Sequence, residues 1–117
     1  MITAQAGILA PIPAFATYLL FDAVAEADLL PALKRLAQLT DGSRLLVGLG
    51  EPLLQRLGQH IETLHAFPTY NLPECKVPGT PRGLCCWLRA SERGDLLDQQ
   101  RQLEQILAGA FNLSQQV

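Results

Sequence analysis

The sequence predicts an α+β domain in which two helices cover one face of a four-stranded antiparallel sheet. Two segments carry leucines at the three- and four-residue spacing of amphipathic helices, and four shorter apolar segments of strand length flank them. The chain has 117 residues, 49% of them apolar, which is enough for one hydrophobic core. We therefore expect a single domain over residues 1–117.

The chain is expected to begin with an extended lead-in over residues 4–13, because Pro11 and Pro13 each restrict the preceding residue to extended backbone. The run 15–21, Phe-Ala-Thr-Tyr-Leu-Leu-Phe, is apolar, free of breakers and of strand length. It predicts a first strand that is buried on much of both faces and ends at Asp22.

A helix is predicted next, because Asp28 can cap it and Pro31 fits its first turn. The turn residues 40–43 end this helix, and residues 44–49 (Arg-Leu-Leu-Val-Gly-Leu) predict a second strand. The expected buried face of the helix consists of Leu29, Leu30, Leu33, Leu36 and Ala37.

The segment after the second strand is predicted to be a short helical turn followed by a long loop. Residues 51–57 carry Pro52 at a first helical position, and prolines recur throughout residues 58–82. A loop of this length in a compact domain normally packs against the body of the domain. The expected anchors of the loop are Leu64, Phe67, Tyr70 and Val77.

The last three elements are predicted to be a strand over 84–89, a helix and a strand over 111–117. Asp95 is expected to cap the helix, which ends near Gly109. The helix is expected to bury Leu96, Leu97, Leu103, Ile106, Leu107 and Ala110. Alternation along the strand places Leu84, Cys86 and Leu88 on one face and Cys85, Trp87 and Arg89 on the other.

This order of elements is the ferredoxin-like βαββαβ arrangement, with a loop-rich insertion between its second and third strands. In such a fold the two helices cover only one face of the sheet. We expect side chains such as Tyr18 and Trp87 on the other face, which would expose apolar area and bind a partner.

Composition and charge exclude two classes of partner. The formal net charge is −2 and the nine Lys and Arg residues are scattered, which argues against nucleic acid. The first residues lack a basic signal region and any long apolar run, so we expect no membrane association and a cytoplasmic protein. Cys75, Cys85 and Cys86 lack C-x-x-C spacing and are interpreted as reduced thiols.

Few residues are candidates for chemistry. His60 and His65 lack the spacing of a metal site, so solvated or hydrogen-bonded side chains are favoured over metal or haem ligands. Trp87, Tyr18 and Tyr70 are oxidisable and are candidates for an electron relay, with a plain packing role as the alternative. We assign no catalytic, cofactor-binding or metal-binding residue.

Several motifs together resemble the start of a bacterial dye-decolourising (DyP-type) haem peroxidase. Residues 5–11 (Q-A-G-I-L-A-P) are similar to the Q-x-G-I-L-x-P lead-in of that family, and residues 46–50 (L-V-G-L-G) to its glycine-ended second strand. Residues 64–68 (L-H-A-F-P) and 77–81 (V-P-G-T-P) resemble L-x-x-F-P and V-P-S-T-x, with glycine in place of the serine. Residues 87–97 (W-L-R-A-S-E-R-G-D-L-L) resemble W-L-R-G-x-x-R-G-E-L.

The resemblance implies the N-terminal half of such a peroxidase. The family has tandem ferredoxin-like domains of the dimeric α+β barrel type, with haem b held mainly by the second, and it oxidises dyes and phenolic donors with hydrogen peroxide. It uses a distal Asp in G-x-x-D-G, a distal Arg and a proximal His, and no residue here matches these three. Arg89 and Arg93 lie in a different motif and are not assigned to the distal position. We therefore expect the chain to be a truncated form that binds no haem and is inactive alone.

Two partners for the open face follow from the resemblance: the C-terminal haem domain, or further copies of the chain in a homo-oligomer. An encapsulating shell protein is a third candidate partner, for the full-length form. The alternative function is a stand-alone ferredoxin-like interaction or oligomerisation domain without catalysis. The two functions differ in whether coding sequence containing G-x-x-D-G follows Val117.

Overall fold

The structure, a computed structural model that describes residues 3–117, contains a four-stranded antiparallel sheet with two long helices on one face. The lead-in is not extended throughout as predicted, because it contains a 3₁₀ turn over Ala6–Ile8. The elements that follow, in chain order, are β1 (Phe15–Ala23), α1 (Leu30–Leu39), β2 (Leu45–Leu49), α2 (Glu51–Arg56), β3 (Tyr70–Asn71), β4 (Lys76–Val77), β5 (Leu84–Ala90), α3 (Arg93–Leu107) and β6 (Phe111–Gln116). The strand order β2-β5-β1-β6 is that of the predicted ferredoxin-like fold. Strands β3 and β4 form a separate hairpin within the insertion.

Strand β1 lies at the centre of the sheet. It pairs with β5 from Phe15 opposite Ala90 to Phe21 opposite Leu84. On its other side it pairs with β6, with a register shift between Leu20 and Phe21. Such a bulge increases the local twist of the sheet.

The core lies between the sheet and the helices α1 and α3. Its members come from alternate positions of the strands and from one stripe of each helix, as the side-chain periods of strands and helices require. Apolar side chains that are at most 4% exposed include Leu19, Phe21, Leu36, Leu45, Cys86, Leu88, Leu103 and Leu107. The predicted division of β5 into two faces is confirmed.

The prediction that β1 is buried on much of both faces is wrong. Leu19 and Phe21 are 0% and 2% exposed, whereas Tyr18, on the opposite face, is 41% exposed. The helices cover only one face, so the apolar side chains of the other face remain accessible in this chain.

The buried stripe of α1 differs from the prediction at two positions. The predicted Asp28 cap is wrong, because Leu29 is the N-cap; Asp28 lies one residue earlier, where its Oδ1 accepts a hydrogen bond from the Leu30 N–H at 3.2 Å. Leu30 and Ala37 are exposed, and Ala32 is buried instead. The stripe that contacts the sheet is therefore rotated relative to the predicted one.

Two predictions for α3 also need correction. The helix begins at Arg93, so Asp95 lies in its first turn rather than at the cap, where its charge still favours the positive end of the helix dipole. Leu97 is 48% exposed and does not belong to the core. The predicted end of the helix is confirmed, because Gly109 follows it with a positive φ of 83°.

The long loop is not anchored as predicted. Phe67, Tyr70 and Val77 are 57%, 50% and 36% exposed, and only Leu64 is partly buried. The β3–β4 hairpin satisfies its own backbone hydrogen bonds and projects its side chains into solvent. Within residues 3–117, no helix combines the length and apolar character needed to cross a bilayer.

Candidate functional site on the open sheet face

The face of the sheet opposite the helices, called the open face here, is formed by alternate residues of β1 and β5. The register places Tyr18 beside Trp87 and Leu20 beside Cys85. A third pair, Ala16 and Arg89, lies towards the beginning of β1. Neither α1 nor α3 covers this face; among the described helices, only the 3₁₀ turn Ala6–Ile8 of the lead-in lies against it, at Leu46 of β2.

Tyr18 and Trp87 form a stacked aromatic pair at the centre of the open face. Their ring centroids are 5.4 Å apart and their planes differ by 19°. Tyr18 is 41% exposed, and Trp87 is half-buried. Aromatic cross-strand pairs stabilise a sheet and supply large apolar contact area to a partner.

Arg89 is buried beside this pair, with 8% of its surface exposed. Its guanidinium lies 5.2 Å from the centroid of the Trp87 ring, in cation–π contact. It also donates hydrogen bonds to the backbone carbonyls of Ser43, at 3.3 Å, and Pro11. Among the described residues it has no carboxylate within salt-bridge distance. Arg89 therefore holds the lead-in against the sheet.

The lead-in, residues 4–13, closes the β2 edge of the sheet. The Gln5 side chain accepts a hydrogen bond from the Val47 N–H and donates one to the Val47 carbonyl, both at 2.9 Å. This pair of bonds imitates a neighbouring strand. A Cβ on Gly7 would lie 2.7 Å from Leu46 Cδ1 and 3.0 Å from the Ser43 carbonyl oxygen, so glycine suits this close approach.

The turn before β2 is held by the carboxylate of Asp41. It accepts backbone N–H bonds from Ser43, Arg44 and Leu45 at 2.9, 2.8 and 3.0 Å, and pairs with the Arg44 side chain at 3.1 Å. Desolvation raises the pKa of Asp41, but the hydrogen bonds from these groups outweigh it and lower the pKa to about 2. Asp41 is thus a structural residue.

The three thiols are free and lie in different environments. Cys86 is in the core, Cys85 is half-buried on the open face and Cys75 is exposed. Burial raises the pKa of Cys85, and burial together with neighbouring Cys85 raises the pKa of Cys86 to about 12. These two thiols therefore stay protonated and are poor nucleophiles at neutral pH.

The two histidines lie in the insertion that follows α2. Both are exposed, and His65 Nδ1 lies 3.8 Å from Glu51 Oε2. They line one cavity of about 140 Å³, which is smaller than the roughly 300 Å³ at which ligand pockets begin. Among residues 3–117 no three His, Cys, Asp or Glu side chains are arranged to hold a metal ion. The cavity is too small to enclose a porphyrin, so these residues do not fit haem.

The structure brings together two of the three relay candidates. Tyr18 and Trp87 stack on each other, whereas Tyr70 lies in the β3–β4 hairpin and packs edge-to-face on Phe67, with centroids 5.6 Å apart. The hydrogen bonds from Arg89 to the lead-in and the strand-like contact of Gln5 with Val47 were not predicted from the sequence. These contacts join residues 42 and 78 positions apart, so local sequence patterns carried no signal for them.

Comparison with solved structures finds the same fold in one part of several peroxidases. A protein from Shewanella oneidensis assigned to the DyP-type peroxidases has a TM-score of 0.81 and 23% identity over 99% of this chain and 42% of its own. DyPB from Rhodococcus jostii has a TM-score of 0.75 and 20% identity over 99% of this chain and 43% of its own. The chain has the ferredoxin-like fold found in one part of these DyP-type peroxidases.

The chain matches only part of the length of these structures, and the similarity is one of structure. The encapsulated DyP-type peroxidase from Mycobacterium smegmatis has a TM-score of 0.70 and 22% identity over 93% of this chain and 40% of its own. The chain thus spans about 40% of these structures, which is consistent with an N-terminal half. No protein-family model and no curated protein sequence matches it.

Proposed function

We propose that this chain forms the N-terminal part of a DyP-type haem peroxidase, as one ferredoxin-like domain over residues 1–117. The observation that supports this proposal is the TM-score of 0.81 over 99% of the chain and 42% of the Shewanella protein. The full-length form would oxidise dyes and phenolic donors with hydrogen peroxide. Its cofactor would be haem b, since a Rhodococcus DypB variant of the same fold is in complex with heme.

In this proposal the open face is covered by the haem-binding part of the full-length protein. Tyr18 and Trp87 already stack on each other, and Leu20 and Cys85 extend the apolar area beside them. An apolar area of this kind on one side of a sheet normally packs against another layer. The role of the chain is then structural, and Arg89 holds the lead-in against the sheet through its bonds to the Ser43 and Pro11 carbonyls.

In this proposal Tyr18 and Trp87 are better candidates for an electron relay than Tyr70. The stacked pair lies on the face that would meet the haem-binding part, while Tyr70 is in the exposed hairpin. Their close contact suits electron transfer between them.

The direct test of the proposal is the gene sequence downstream of the codon for Val117. We expect an open reading frame that continues and encodes a G-x-x-D-G motif. A stop codon directly after Val117 would contradict the peroxidase assignment. A matched activity assay compares dye oxidation by hydrogen peroxide and haemin with and without the purified chain, and we expect equal rates. A rate well above that of haemin would contradict the structural role.

A second candidate function is a stand-alone interaction domain that associates with its own copies through the open face. The exposure of the aromatic pair favours it. Trp87 is the single tryptophan of the chain, so its emission reports on this face alone. Open-face association predicts a blue shift of emission as protein concentration rises, and Tyr18→Asp should abolish the shift. Emission that does not vary with concentration would contradict this function.

Two further features belong to the full-length form only. The Mycobacterium smegmatis structure is of an encapsulated peroxidase, and we propose a shell protein as a partner of the full-length protein on this basis. A cytoplasmic location is proposed with it. Co-purification of the full-length protein with a shell from its native cells would test both.

A further inference from the structure

The lead-in carries three exposed aliphatic side chains, called the hook here: Ile8, Leu9 and Ile12. They are 53%, 89% and 95% exposed. Single exposed apolar residues are common on protein surfaces, but three within five positions form a patch.

The hook is held in place rather than free. The Gly7 N–H donates a hydrogen bond to the Gly42 carbonyl at 2.7 Å on one side of the hook. Arg89 binds the Pro11 carbonyl within it, and Pro11 and Pro13 stiffen the backbone. A rigid apolar projection loses little conformational entropy when it binds, so it is well suited to docking.

A groove of about 760 Å³ lies on the other side of Gly7, between the start of the lead-in, α1 and β2. Three of the four polar side chains along it, Gln5, Thr40 and Asp41 but not Thr3, are engaged with the protein's own backbone. The groove therefore offers mainly apolar contact. Its apolar lining consists of Ala4, Leu33, Leu36, Ala37, Val47 and Leu49.

We propose that the hook of one copy docks into the groove of a second copy, and that the contact is reciprocal. The hook does not fill its own groove, because none of its three residues lines it. Both surfaces belong to one short region, on either side of Gly7, so a two-fold axis can bring each hook to the opposite groove.

Area and charge both support a second copy as the occupant. Three largely exposed aliphatic side chains present roughly 400 Å² per copy, so two hooks seated in two grooves bury somewhat more than about 1,000 Å², which is enough for a specific interface. Residues 3–14 contain no charged side chain, and the one charged residue of the groove lining, Asp41, is paired with Arg44. Two copies can therefore approach without like-charge repulsion.

Sedimentation equilibrium of the full chain tests this contact. The hook variant Leu9→Ser/Ile12→Ser and the groove variant Ala37→Glu should each raise the dissociation constant at least tenfold. Leu97→Ser, which removes an exposed leucine of α3, is the matched control and should leave it unchanged. Circular dichroism should show that all the variants are folded, since every substituted side chain is exposed.

The outcomes separate this contact from association through the open face. Hook docking should leave Trp87 emission unchanged, and an equimolar mixture of hook and groove variants should regain one of the two contacts. Wild-type chain that stays monomeric, or association that Tyr18→Asp abolishes and the hook and groove variants do not affect, would overturn the proposal.

Discussion

The two faces of the sheet are built from the same strands and differ in what covers them. On one face, Leu19 and Cys86 are fully buried under α1 and α3. On the other, Tyr18 and Trp87 occupy adjacent positions of the same two strands and remain partly exposed. Since the strands are shared, the difference arises from the layer above each face and not from the composition of the strands.

This difference separates stability from association. The covered face supplies the burial that folds the chain, while the open face keeps its apolar area available for a partner. The lead-in contributes to both, because it closes the β2 edge through Gln5 and is held by Arg89 of the open face. Edge-to-edge pairing at β2 is thereby blocked, and association is directed elsewhere.

The largest expected effect comes from adjacent leucines on opposite faces of β1. Leu19→Ala should lower the free energy of unfolding by about 2–5 kcal/mol, because Leu19 is fully buried. Leu20→Ala, at a half-buried position of the open face, should lower it by no more than about 1 kcal/mol. Urea denaturation measures both. Equal losses would contradict the division of the sheet into a covered and an open face.

A smaller effect on the free energy of unfolding is expected at Arg89, which joins the open face to the lead-in. Arg89→Lys keeps the charge but loses the planar fork that reaches Ser43 and Pro11, and should cost about 1–2 kcal/mol. Hydrogen exchange of the Gly7 amide should become faster. Arg93→Lys, at the exposed start of α3, is the control and should change neither quantity. Unaltered Gly7 exchange in Arg89→Lys would show that Arg89 does not hold the lead-in.

The smallest effect concerns the turn that leads into β2. The pKa of Asp41 is lowered to about 2 from 3.8, so its contribution to stability is present above pH 3.8 and is lost as the pH falls through 2. Because the carboxylate is largely exposed, we expect less than about 1 kcal/mol. The urea midpoints of the wild type and Asp41→Asn should differ at pH 5 and converge near pH 2. A difference that is constant over this range would rule out the carboxylate as its source.

The sequence predicted the elements of the fold because each depends on local periodicity. The alternation of Leu84, Cys86 and Leu88 identified the buried face of β5 correctly, since a strand has one side-chain period. The helices were located correctly, but Leu30 and Leu97 were assigned to the core although they are exposed. A wide apolar stripe does not define which of its edges meets the sheet, because that depends on how the helix is rotated in the tertiary structure.

The contacts of the open face were less predictable. Tyr18 and Trp87 were expected on this face, but their stacking depends on the register of β1 and β5, which pairs residues 69 positions apart. The burial of Arg89 depends on the path of the lead-in, 78 positions away from it in sequence at Pro11. Tyr70 and Phe67 were expected to anchor the loop, yet the hairpin satisfies its own hydrogen bonds and leaves them exposed.

The most direct measurement is a haemin titration of the purified chain, followed in the Soret region, with His60→Ala and His65→Ala variants alongside. The chain is proposed to be a structural part of a peroxidase, and its histidines line a cavity of only about 140 Å³. We therefore expect no saturable sharp Soret band and no difference between the variants and the wild type. A sharp band that saturates at one haem per chain and disappears in either variant would contradict this role.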